Sequence, residues 1–114
     1  MAKWAKSYED IKHIVEISEN LFAVLKEGFL INIVLNDRRE IEGWLTASSF
    51  GNNAVVVRPP TRYYGEITLK QLDGSSTTLD LLDIQFIRSA TSPAKLKQYK
   101  EAGVIEIVNF PEGV

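Results

Sequence analysis

The chain has 114 residues, a formal net charge of −2, 45% hydrophobic and 25% charged residues, and no cysteine. This suits one ordinary domain, and it excludes disulfides, thiolate metal sites and cysteine nucleophiles. The balance of charge also disfavours a generally basic phosphate binder, so contact with nucleic acid would have to come from a local patch or from repeated sites.

The N-terminal "MAKWAKSYED" holds two lysines but no apolar signal-peptide core, and no later run nears the ~20 apolar residues that cross a bilayer. Residence in the cytoplasm is the expectation. Ser7 with Asp10 has the layout of a helix cap. Ile11, Ile14, Val15, Ser18, Phe22 and Leu25 then recur at helical spacing, and Gly28 supplies a stop. "SEN" at 18–20 offers a second cap, which leaves room for a break near Asn20.

From Phe29 the period changes to two. Ile31, Ile33 and Leu35 line one face of a strand, and "NDRRE" forms a hairpin turn. A second strand runs from Glu40 to Ala47 with Ile41, Gly43, Leu45 and Ala47 on one face, until "SSFGNN" breaks it. "AVVV" at 54–57 reads as a third strand. "RPPTRYYG" is excluded from a central position by its two prolines. "EITLKQL" follows with Ile67 and Leu69 inward, and Asp73 and Gly74 centre a turn. "TTLDLLDIQFIRS" predicts a short strand, one helical turn at Leu81–Asp83, and a last strand over Ile84–Arg88. Ser92 and Pro93 open a second helix that runs to Gly103, and "VIEIV" at 104–108 reads as an edge strand.

Several short strands with regular turns suggest a small barrel, mainly β, in which the longest strand must bend. Gly43 sits midway along the inward face of that strand, where a side chain would collide at the bend. With these residues the chain resembles the Sm-like proteins, which include the LSm proteins and bacterial Hfq. The match rests on Ile31, Ile33 and Leu35 in the first strand, and on Asp37 and Arg39 in the turn. Gly43 and Leu45 match the bent strand, and Asn53 the asparagine opening the third. Arg38 stands where the family has glycine, Ser48 and Ser49 replace its aromatic and acidic loop positions, and "LDLLDIQFI" replaces its Ile-Arg-Gly segment. The likeness spans roughly residues 8–88 and is closest to divergent Sm-like proteins of the kind found in phage and environmental sequences.

The resemblance implies a five-stranded, SH3-like bent barrel with an N-terminal helix over residues 1–90. Residues 91–114 would then be a helix-and-strand extension of the same domain. It also implies a homo-oligomeric ring built through edge strands, for which "EITLKQL" and "DIQFIRS" are the candidate edges. Single-stranded RNA is the implied ligand, stacked by Phe50 and read by Asn53. Arg58, Arg62, Tyr63 and Tyr64 form a basic and aromatic cluster beside them, and Arg88 ends the last strand.

The second reading is a structural or adaptor ring that binds protein partners and has lost the RNA site. The negative charge and the missing Ile-Arg-Gly point to it. Catalysis has little support: His13 is the single histidine, placed beside the apolar helix stripe, and neither a nucleophile motif nor a metal-ligand spacing is present. Asp80 and Asp83 are expected to cap the short helical turn rather than hold a cation. Trp44 is expected to pack beneath a terminal helix rather than stack on a ligand. No cofactor is expected.

Overall fold

The computed structural model describes residues 4–52 and 63–105. The expected "AVVV" strand and most of "VIEIV" lie outside them. Helix α1, Tyr8–Leu25, starts on Ser7, whose side chain accepts a hydrogen bond from the Asp10 amide. It runs unbroken past Asn20. Its buried stripe is Ile14, Ile17 and Leu21, so Val15 and Phe22 of the expected stripe lie on an exposed flank.

Strands β1, Leu30–Leu35, and β2, Glu40–Asn52, form an antiparallel hairpin in which Ile31 lies opposite Gly43. Their turn is held by hydrogen bonds from the Leu35 amide to the Arg39 carbonyl (2.8 Å) and from the Arg38 amide to the Leu35 carbonyl (2.9 Å). Arg38 takes φ +71° there, the left-handed conformation that suits the glycine of the resembling family. Strand β3, Tyr63–Lys70, pairs with β2, and β4, Ser76–Asp80, pairs with β3. One turn of 3-10 helix, Leu81–Asp83, leads into β5, Ile84–Ser89, which returns to pair with β1. Asp80 caps that turn by accepting from the Leu82 amide at 2.9 Å. The strand order is β4-β3-β2-β1-β5, a five-stranded antiparallel sheet that is not closed.

Sequence expectations change along the sheet as well, and Tyr63–Gly65 of "RPPTRYYG" belong to the central strand β3. Strand β2 does not stop at Ala47: residues Ser48–Asn52 continue it because Tyr63–Ile67 of β3 pair with them. Ala47 is exposed rather than inward, because a bulge between Leu45 and Ala47 shifts the alternation. The "EITLKQL" strand is no edge, since β3 lies between β2 and β4.

The glycine at position 43 has a physical reason in the packing of β3. A Cβ there would lie 2.9 Å from Leu69 Cβ and 3.0 Å from the Lys70 carbonyl oxygen. The main core lies on that face of the sheet. Ile31, Ile33, Leu35, Leu45, Ile67, Leu69, Ile84 and Ile87 meet Ile14, Ile17 and Leu21 of α1, with Leu81 between them. Helix α1 lies against β5, the 3-10 turn and β3 on the core face of the sheet.

The opposite face carries helix α2, Pro93–Glu101, capped by Ser92, which accepts from the Lys95 amide. Tyr99 packs there with Leu30, Val104 and Ile105, and Trp44 sits against this group beneath α2, as expected. The Tyr99 hydroxyl donates to a Glu42 carboxylate oxygen at 2.9 Å, and Lys95 Nζ lies 3.2 Å from the other oxygen. Val104 and Ile105 follow α2 as bends rather than strand. No described helix is long and apolar enough to cross a membrane.

Candidate functional site

The exposed flank of α1 faces the far end of the β2–β3 hairpin across a groove of about 400 Å³. Ile14, Val15, Ser18 and Phe22 form the helix wall, and Phe50, Gly51 and Tyr64 form the sheet wall. Three features build it. Helical spacing puts Val15 and Phe22 seven residues apart, hence on one side. The extension of β2 beyond its bulge carries Phe50 out past the core. The Tyr64 ring lies over Gly51, where a Cβ would come within 1.6 Å of Tyr64 Cε1, so only glycine leaves room for that ring.

The aromatic rings touch across the groove. Phe22 and Phe50 have centroids 5.9 Å apart with planes tilted by 47°, and Trp4 meets Tyr64 edge-on at 5.0 Å. Ser49 Oγ and the Tyr64 hydroxyl lie 3.2 Å apart, in hydrogen-bonding range, which orients that ring. Phe22 remains 55% exposed, Val15 43% and Phe50 39%, a concentration of apolar surface beyond what scattered surface residues produce. All the lining residues are uncharged. Helix α1 carries Glu9, Asp10, Glu16 and Glu19 against Lys12 as its one lysine or arginine, so the helix as a whole is acidic on balance.

The predicted site residues divide. Phe50 and Tyr64 come together in the groove. Tyr63 lies on β3 opposite Asn52. Asn53, Arg58 and Arg62 lie outside the described residues. Arg88 is elsewhere: its Nε donates to Asn32 Oδ1 at 2.9 Å, and its guanidinium is paired with Glu40. Phe50 is ten residues further along β2 than Glu40, a strand path on the order of 30 Å. Arg88 and Phe50 therefore do not form one site. Phe22, Val15 and Trp4 were missed. The available signal was that α1 has more apolar residues than one buried stripe can hold, because Ile17 and Leu21 compete with Val15 and Phe22 for the core.

A smaller hollow of about 320 Å³ lies at the β1–β2 turn, lined by Leu35, Asn36, Asp37, Arg39, Leu79 and Asp83. Its polar groups serve the turn. Asn36 Nδ2 donates to the Leu82 carbonyl at 2.8 Å, and Asp37 accepts from the Arg39 amide and guanidinium. Those bonds hold the Asp37 carboxyl below its usual range, so it is an ionised turn residue and a poor proton donor. His13 Nε2 donates to the Ile84 carbonyl at 2.7 Å. Among the described residues no group of three or more metal-ligating side chains comes together. Comparison with models of protein families gave no match for this chain, and neither did comparison with curated proteins or with solved structures.

Proposed function

We propose that this chain is a non-catalytic binding module of Sm-like architecture whose groove takes an apolar segment of a protein partner. One observation carries the reading: Val15, Phe22, Phe50 and Tyr64 converge on an uncharged trough beside an acidic helix, the first three of them exposed. Water is expelled from such a surface by aliphatic or aromatic side chains, whereas phosphates would meet no cation among the lining residues. The five strands, the helix that precedes them and the close approach of β3 at Gly43 support the Sm-like architecture, with α1 standing in for full closure of a barrel.

A second reading, single-stranded RNA, draws support from Phe50 and Tyr64 sharing the groove and from Arg58 and Arg62 in the chain that links β2 to β3. A ring through the sheet edges remains a proposal for a state in which α1 has left β5, because α1 occupies that edge here.

The two ligand classes separate in one pair of experiments. Peptide-display selection on the full chain should enrich sequences with spaced apolar anchors, and Phe22→Ser should abolish their capture. Anisotropy titration of labelled U-rich and A-rich RNA at low and moderate salt should show no saturable binding that Phe50→Ala removes. Saturable, Phe50-dependent RNA binding with no peptide enrichment would replace the first reading by the second.

A further inference from the structure

Helix α1 carries a second line of residues beside the stripe it buries. Tyr8, Ile11, Val15, Ser18, Phe22 and Leu25 follow one another at alternating steps of three and four residues. That spacing keeps them on one side of a helix, and it is the spacing by which two helices pack along a shared seam. Tyr8 is 76% exposed, and Val15 and Phe22 are exposed below it. Ile11, Ser18 and Leu25 are half-buried beside them. The core stripe of Ile14, Ile17 and Leu21 lies on the adjoining side, so covering the seam leaves the core as it is.

The seam is complementary to a copy of itself run the opposite way. Placed antiparallel about the midpoint of the helix, Tyr8 meets the partner's Leu25, Ile11 the partner's Phe22, and Val15 the partner's Ser18. Each ring then faces an aliphatic side chain, and the smallest residue of the seam sits at the centre. The Ser18 hydroxyl already donates to the Val15 carbonyl at 2.8 Å, so burying it strands no polar group. This register also overlaps the two helices along their full 18 residues, about 27 Å.

Charge agrees with the same register. Lys12 and Glu19 are exposed one position beyond Ile11 and Ser18, along the solvent side of the seam. Neither has an ion partner among the described residues. In the antiparallel pair Lys12 lies within two residues of rise, about 3 Å, of the level of the partner's Glu19. Two-fold symmetry makes that contact twice.

We propose, resting on the reading of the groove as a protein-binding surface, that its occupant is α1 of a second copy, in an antiparallel two-fold dimer along this seam. The dimer uses neither sheet edge and keeps α1 in place on the sheet. Phe50, already in contact with Phe22, adds its ring to the covered surface.

The test is light scattering of the full chain at low salt over a range of concentrations. Wild type should pass from single to doubled mass as concentration rises. Lys12→Glu and Glu19→Lys should each weaken this association about tenfold, because either one turns both symmetry-related pairs repulsive. An equimolar mixture of the two variants should regain the dimer, since each chain then supplies the charge the other lacks. Association that the single variants leave unchanged would overturn the proposal. Loss in both variants without recovery in the mixture would do so too. A wild type that stays monomeric yet captures display-selected peptides through Phe22 would overturn the dimer while the groove reading stands. A monomer that captures no such peptide would remove both.

Discussion

Arg38 and Gly43 show how single positions carry the fold. The hairpin turn between β1 and β2 needs a left-handed residue at 38, and the chain supplies an arginine at φ +71°. Arg38→Gly is expected to raise unfolding free energy by about 0.5–1 kcal/mol, because glycine relieves the Cβ penalty and returns part of the gain as unfolded-state entropy. A shift of the urea midpoint to higher denaturant at constant slope would confirm it. The opposite change at 43 should do harm: Gly43→Ala forces a methyl against Leu69 Cβ and the Lys70 carbonyl, for a loss of about 1–3 kcal/mol. Equal midpoints for Gly43→Ala and wild type would mean that β3 gives way there without cost. Both positions were singled out in the sequence, Arg38 by its place in the turn and Gly43 by its place on the inward face of the longest strand, although the contacts that constrain Gly43 come from β3. What the sequence could not show at this scale was Gly51, whose constraint comes from the Tyr64 ring thirteen residues later.

At the scale of elements, α2 is fastened to the outer sheet face by an apolar group around Tyr99 and by the Tyr99 and Lys95 contacts to Glu42. Burial, reinforced by the Glu42 carboxylate, pushes the Tyr99 hydroxyl well above its ordinary pKa. The neutral hydroxyl then contributes stability that is complete below the unfolded-chain value of ~10 and declines as pH rises above it. In that range the unfolded chain releases the proton and the folded one keeps it. Urea unfolding from pH 8 to about 11 should therefore show a steeper alkaline decline for wild type than for Tyr99→Phe. Parallel declines would separate Tyr99 from the effect. Helix starts, the cap at Asp80 and the one-turn helix were readable because their signals lie within a few residues. The true length of β2 was not, because Ser48–Asn52 become strand only through a partner segment distant in sequence. The edge status of "EITLKQL" failed for the same reason: strand neighbours are set by pairing, which no local pattern encodes.

For the whole molecule, the open sheet, the helix packed on its core face and the groove beside that helix are one arrangement. Helix α1 buries one stripe against the sheet, satisfies the β5 edge with a second side, and presents Val15 and Phe22 on a third. Sequence periodicity locates such a helix but cannot fix its rotation when apolar residues occupy two adjoining sides, so Phe22 was read as core. The candidate site was correspondingly half legible: Phe50 and Tyr64 were identified through their aromatic character, while their helix-borne partners were not. The central claim is that this groove holds an apolar protein segment. The direct measurement is a calorimetric titration of a display-selected peptide into wild type and Phe22→Ser, both shown to be folded. The account predicts that the substitution weakens binding at least about tenfold, as loss of a central aromatic anchor does. Equal affinity for the two proteins would contradict it.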